Sequence, residues 1–160
     1  MGLHAVVYCD CFERGKVREL PPQPELVYVE PSGQVSFKWD APNADQHRFY
    51  DWLAKACDHG PMGELVFHRL GNISLIAFLR EFLSKAPERF PVLLAQVLYD
   101  GTHCGDYLEV EDVNAVAAEV AALRAVSDTQ PHNEALIRGF ERQMSELVEA
   151  AQRLAKPIAF

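Results

Sequence analysis

The sequence predicts an α+β domain, in which an antiparallel sheet from the N-terminal half is packed by helices and followed by a C-terminal antiparallel helical hairpin. Three observations predict it. Residues 3–39 contain β-branched and aromatic runs with alternating polarity. From Asp45 onward the apolar period lengthens to that of a helix. The last third carries an apolar stripe that steps by three and four through two successive segments.

Residues 3–9, Leu-His-Ala-Val-Val-Tyr-Cys, read as a strand. A polar loop with Pro21, Pro22 and Pro24 follows. The runs at 26–30 and 34–39 flank Pro31-Ser32-Gly33, which suggests a hairpin with Val35, Phe37 and Trp39 on one face. Phe49, Trp52, Leu53, Ala56 and Cys57 then fall on one face of an amphipathic helix, which His59-Gly60-Pro61 ends. Residues 64–70 form a short strand. A second helix opens after Gly71-Asn72 and runs to about Lys85, with Leu75, Phe78, Leu79, Phe82 and Leu83 on one face. Pro91 suits the first position of a helix over 91–99, although Val92-Leu93-Leu94 also fits a buried strand. Residues 100–106 form a glycine-bracketed loop. Val113, Val116, Val120 and Leu123, and then Ile137, Phe140, Met144, Leu147, Ala151 and Leu154, make the two halves of the terminal seam. The short link from Asp128 to Pro131 favours antiparallel neighbours. The seam is expected to pack within the chain, with a second copy as the alternative. Pro157 stops the last helix and leaves Ile-Ala-Phe as a terminal strand or core plug.

At 160 residues, 49% hydrophobic, one domain over 1–160 is expected. That apolar fraction excludes a disordered chain. A net charge of −8 excludes a nucleic-acid coating protein and a polybasic membrane binder. The N-terminal residues lack a basic region followed by an apolar run, and no stretch is long enough to span a bilayer. With only four cysteines, reduced thiols and a cytoplasmic location are expected.

Two groups of residues have chemistry to offer. Cys9-x-Cys11 and Cys57-x-His59 are zinc-ligand types, but a one-residue gap lacks the usual knuckle turn, so ordinary buried thiols and no metal are expected. The loop Gly101-Thr102-His103-Cys104-Gly105-Asp106 collects a histidine, a thiol and a carboxylate. Adjacent side chains diverge in an extended chain, so His103 and Cys104 make a poor nucleophile–base pair. A tight turn, or a loop that recognises a partner, suits them better. Asn72 reads as a helix N-cap, and His68 as a satisfied histidine at the core or sheet edge. No phosphate loop, dinucleotide fingerprint, nucleophile elbow or HExxH motif is present, and no cofactor is expected.

Charge placement is more pointed. Residues 90–123 contain Asp100, Asp106, Glu109, Glu111, Asp112 and Glu119 and no lysine or arginine. Such a stretch can steer a basic partner, but acids near a helix N-terminus also offset its dipole.

The segments MGLHAVVY, HRLGNISLIAFLRE, VLYDGTHCGDYLEVEDV and KPIAF resemble those of small bacterial proteins of the toxin-immunity type. The resemblance spans most of the chain and brings no catalytic motif. It implies a non-enzymatic, cytoplasmic α+β protein that binds and neutralises a cognate toxin, with a basic nuclease as one candidate. Asp100, His103, Asp106, Glu109, Glu111 and Asp112 are the expected partner-binding residues. The competing readings are a small thiol- or metal-dependent enzyme centred on the GTHCGD loop and a homodimer built on the 113–154 seam.

Overall fold

The protein is described from a computed structural model that covers residues 2–101 and 104–160. Its elements are β1 (Gly2–Tyr8), β2 (Val27–Val29), β3 (Val35–Phe37), α1 (Asn43–Leu53), β4 (Glu64–Asn72), α2 (Ile73–Leu83), β5 (Tyr107–Leu108), α3 (Val110–Ala122), α4 (Pro131–Leu154) and β6 (Ile158–Ala159). The class is α+β, as expected.

The main sheet has the order β4-β1-β6-β5, with every pairing antiparallel. Half of its strands come from the C-terminal half of the chain, which corrects the expectation of an N-terminal sheet. β5 and β6 contribute only two residues each, too short to carry a readable alternation. The terminal Ile-Ala does form a strand: Val6 pairs with Ala159, and Leu108 with Ile158. On β1, Leu3, Ala5 and Val7 are fully buried while the residues between them are not. That alternation is the period-two pattern of a sheet with one face against the core.

α2, α3 and α4 pack on that face, and Phe90, Leu93, Val97 and Leu98 from the segment between α2 and β5 join the same core. Asn72 ends β4 and caps α2, its Oδ1 accepting from the Leu75 N–H at 2.9 Å. Within α2 the core-facing set is Ile76, Leu79 and Leu83, with Leu75, Phe78 and Phe82 only partly buried. Every member of the predicted seam up to Ala151 is buried. Polar contacts beside it run in reversed order: Asn114 of α3 meets Gln152 of α4 at 3.0 Å, and Arg124, in the turn after α3, meets Glu141 at 3.0 Å. The seam is therefore consumed inside the chain, which removes the surface on which the homodimer reading was built.

Pro91 does open a helix, but it is short and unusually wound. Residues Leu93–Val97 form a π-helical turn, with the Leu98 N–H reaching the Leu93 carbonyl at 2.8 Å. The strand alternative for this segment is not realised. In the first turn of α4, Glu134 accepts from the Asp128 N–H at 2.9 Å and from Arg138 at 2.8 Å. The backbone bond first, and the guanidinium second, hold the Glu134 carboxyl below its usual range. A depressed carboxylate contributes stability above its unfolded pKa and loses it as pH falls through the folded one. Glu134→Gln is thus expected to destabilise at neutral pH and to converge on the parent below the carboxylate range. Urea titrations at several pH values check this, and a deficit that persists in acid would refute it.

Residues 10–63 form an excursion between two neighbouring strands. β1 leaves the sheet at Tyr8 and β4 enters it at Glu64, and these two residues are register partners. The excursion holds the β2–β3 hairpin, α1 and a second, smaller apolar cluster of Val35, Phe37, Phe49, Trp52, Leu53 and Ala56. The hairpin forms around Pro31-Ser32-Gly33 as predicted, but it is a separate two-stranded sheet. Its second strand stops at Phe37, and Trp39, expected beside Val35 and Phe37, is 88% exposed. The C-terminal segment ties the excursion to the body. Buried Lys156 pairs with Glu13, and Gly33, at φ +86°, leaves only 3.3 Å between its would-be Cβ and Pro157.

Candidate metal centre and acidic face

The base of the excursion gathers Cys9, Cys11, Cys57 and His59. One ligand atom from each lies within 4.8 Å of all the others. Cys9 Sγ is 3.8 Å from Cys57 Sγ, and Cys11 Sγ is 3.4 Å from His59 Nδ1. Cys9 is buried, Cys11 and Cys57 are half-buried, and His59 is at the exposed rim.

Local backbone explains the convergence. The Cys9 N–H donates to the Gly63 carbonyl at 2.8 Å, continuing the β1–β4 pairing one step beyond the strands. The chain then bends, and the Lys16 N–H closes back on the Cys11 carbonyl at 2.7 Å with Gly15 at φ +63°. On the returning side, α1 unwinds through Ala56, and the Gly63 N–H donates to the Gly60 carbonyl at 2.8 Å. Gly63 has φ +77°, and a Cβ there would stand 3.5 Å from Cys9 Sγ. Each one-residue pair therefore has its own reverse turn just outside it. The turns at residues 11–16 and 60–63 lie outside the pairs, and together with the β1–β4 pairing they bring four side chains together that the one-residue spacing alone did not.

The intervening acids do not join the cluster. Asp10 pairs with Arg14 at 2.5 Å, and Asp58 pairs with Arg18. A cavity of about 10 Å³ lies beside the sulfurs, lined by Cys9, Cys11 and Cys57 together with Phe12, Val17 and Trp52. Burial pushes the Cys9 thiol up to about 12 and raises Cys11 as well. A soft divalent cation reverses that preference, because the thiolate is the ligand.

The predicted partner-binding residues lie elsewhere, around the loop before β5 and the first turn of α3. Asp100, Asp106, Glu109 and Glu111 are exposed, and Asp112 is half-buried. His103 lies outside the described residues. Tyr99 donates its hydroxyl to Asp106 Oδ2; that bond, beside the carboxylate's charge, pushes the Tyr99 pKa up to about 12. Tyr99, Asp106, Ala95, Gln96, Gly105 and Tyr107 line an open pocket of about 250 Å³. Arg80 donates to the Tyr99 carbonyl at 2.7 Å and holds this turn in place. Cys104 is exposed, and the Asp106 carboxylate is engaged by Tyr99, so the described residues assemble no nucleophile–base–orienter constellation here.

Glu119 departs from the acidic surface. It is 6% exposed, and its two carboxylate oxygens accept from the Val92 and Leu93 N–H groups at 2.8 Å each. His68 is satisfied as expected, with Nε2 2.7 Å from Glu146. Among the described residues, no helix is long and apolar enough to cross a membrane. No protein-family model matches this chain, and comparison with curated proteins and with solved structures gives no significant match.

Proposed function

We propose that this chain is a non-enzymatic binding protein of the toxin-immunity type, which neutralises a basic toxin domain by covering it with an acidic face. The observation that carries the reading is the exposure of Asp100, Asp106, Glu109 and Glu111, with Asp112 half-buried, on the loop before β5 and the first turn of α3, where Asp106 lines the Tyr99 pocket. Interfaces favour aromatic anchors at their centres and charge complementarity around them. An open pocket floored by a tyrosine and a carboxylate has the chemistry to receive a lysine or arginine side chain. The span from 90 to 123 supplies no competing cation of its own. Removing Glu119 from the face leaves the reading intact, since the other five acids reach solvent. The sequence resemblance supports the same class of partner.

The test begins with the genes adjacent to this one: a toxin domain is expected among them, and it is co-expressed with this chain and the purified pair followed by stopped-flow association. Reversing all five acids to lysine is expected to slow association at low salt by about 10- to 1,000-fold and to flatten its salt dependence. Protection and on-rate unchanged by the reversal would remove this face from the interface.

A further inference from the structure

We propose that Cys9, Cys11, Cys57 and His59 bind one structural zinc ion that closes the base of the 10–63 excursion. None of the four residues belongs to the acidic face, and neither proposal depends on the other.

The geometry points to zinc. A tetrahedral ion with Zn–S of about 2.3 Å and Zn–N of about 2.0 Å sets sulfur–sulfur edges near 3.8 Å and sulfur–nitrogen edges near 3.5 Å. The protein places Cys9 and Cys57 sulfurs 3.8 Å apart and Cys11 Sγ 3.4 Å from His59 Nδ1. The remaining separations stay within 4.8 Å, so a single ion reaches all four atoms. Three sulfurs and one imidazole nitrogen are a soft, tetrahedral set, which selects zinc over magnesium, calcium or manganese. Four protein ligands leave no open position for water or substrate, so the ion is structural rather than hydrolytic. Loading balances as one Zn²⁺ displacing three thiol protons, giving a site of net charge −1 with neutral His59. Arg14 and Arg18 stand next to that charge on Asp10 and Asp58.

The position in the fold gives the ion its task. The small core of the excursion rests on six buried residues. A unit of that size is marginal without a staple. The ligands lie in two pairs, one where the chain leaves the sheet and one where it returns, with Cys9 and Cys57 separated by 48 positions. An ion across that gap ties the two crossings together a second time, beside the Tyr8–Glu64 pairing, and limits the freedom of the excursion at its base.

Zinc content and cobalt substitution of the full chain, purified under reducing conditions, test the proposal. One zinc per chain is expected. Cobalt should give the thiolate charge-transfer band and intense visible bands of a tetrahedral three-sulfur, one-nitrogen site. Cys104→Ser should leave both unchanged, and Cys57→Ser should lose stoichiometric metal. Where Cys57→Ser fails to fold, His59→Cys serves instead: His59 is exposed, and the charge-transfer band should rise by about a third as a fourth thiolate joins. Substoichiometric zinc with no tetrahedral cobalt spectrum would overturn the proposal. So would a Cys9–Cys57 disulfide in protein kept reduced, or a cobalt spectrum indifferent to His59→Cys.

Discussion

Glu119→Ala is expected to destabilise the protein by about 3 kcal/mol, far more than an acid-to-alanine change on a surface helix. Pro91 has no N–H, so the first donors of the short helix are those of Val92 and Leu93. No side chain within that helix caps them. α3 supplies the cap in trans, one carboxylate oxygen for each donor. Removing the carboxylate strands two N–H groups against the core, and each orphaned donor costs about 1–3 kcal/mol. Glu119→Gln keeps the shape but offers one acceptor oxygen and sets an NH₂ against the second donor, so about half the loss is expected. Urea denaturation reads both. A Glu119→Ala variant within about 0.5 kcal/mol of the parent would mean that the cap is not made.

Glu119 also shows where sequence reading stops. Its position in α3 was clear from the spacing of Val113, Val116 and Val120. Composition groups its side chain with the acidic surface, because it does not distinguish a carboxylate facing water from one facing two backbone donors. That distinction depends on where the 91–97 turn docks, a contact across 26 positions. Asp100, Asp106, Glu109 and Glu111 reach solvent because they sit on a loop and a first helical turn, settings that local sequence does indicate.

The same division runs through the fold. α2 and α4 were legible because their stripes are long and their boundaries carry local chemistry: the Asn72 cap, Pro131 at the start of α4 and Pro157 after it. The hairpin at residues 31–33 was legible from its turn. β5 and β6 were not, since two-residue strands are defined by their partners. The cysteine–histidine cluster failed for a related reason. Ligand spacing was judged within each pair, whereas convergence comes from the pairing of Tyr8 with Glu64. A pair of ligands just after one strand and a second pair just before its antiparallel neighbour is the pattern that would have disclosed it.

Phe140→Ala and Phe49→Ala are each expected to cost about 3–5 kcal/mol, but in different units of the molecule. Both rings are 1% exposed. Phe140 lies in α4 within the main core and Phe49 in α1 within the small one, stacked on Phe37 at 5.1 Å between ring centroids. A loss of that size is a large share of the stability of about 5–15 kcal/mol available to a domain. Phe140→Ala should therefore lower the unfolding midpoint seen by every probe. Phe49→Ala should loosen residues 10–63 first, because the strands that flank the excursion pair with each other and do not need it. Trp52 reports the excursion, being 9% exposed, whereas Trp39 is already in water and contributes little change. Far-ultraviolet circular dichroism reports chiefly α2, α3 and α4. In Phe49→Ala the fluorescence midpoint should precede the dichroism midpoint, and chelation should widen the gap by opening the excursion at its base. In Phe140→Ala the two midpoints should stay together. Coincident midpoints in both variants, with and without chelator, would show that the two cores unfold as one and that the ligand cluster holds nothing the sheet does not already hold.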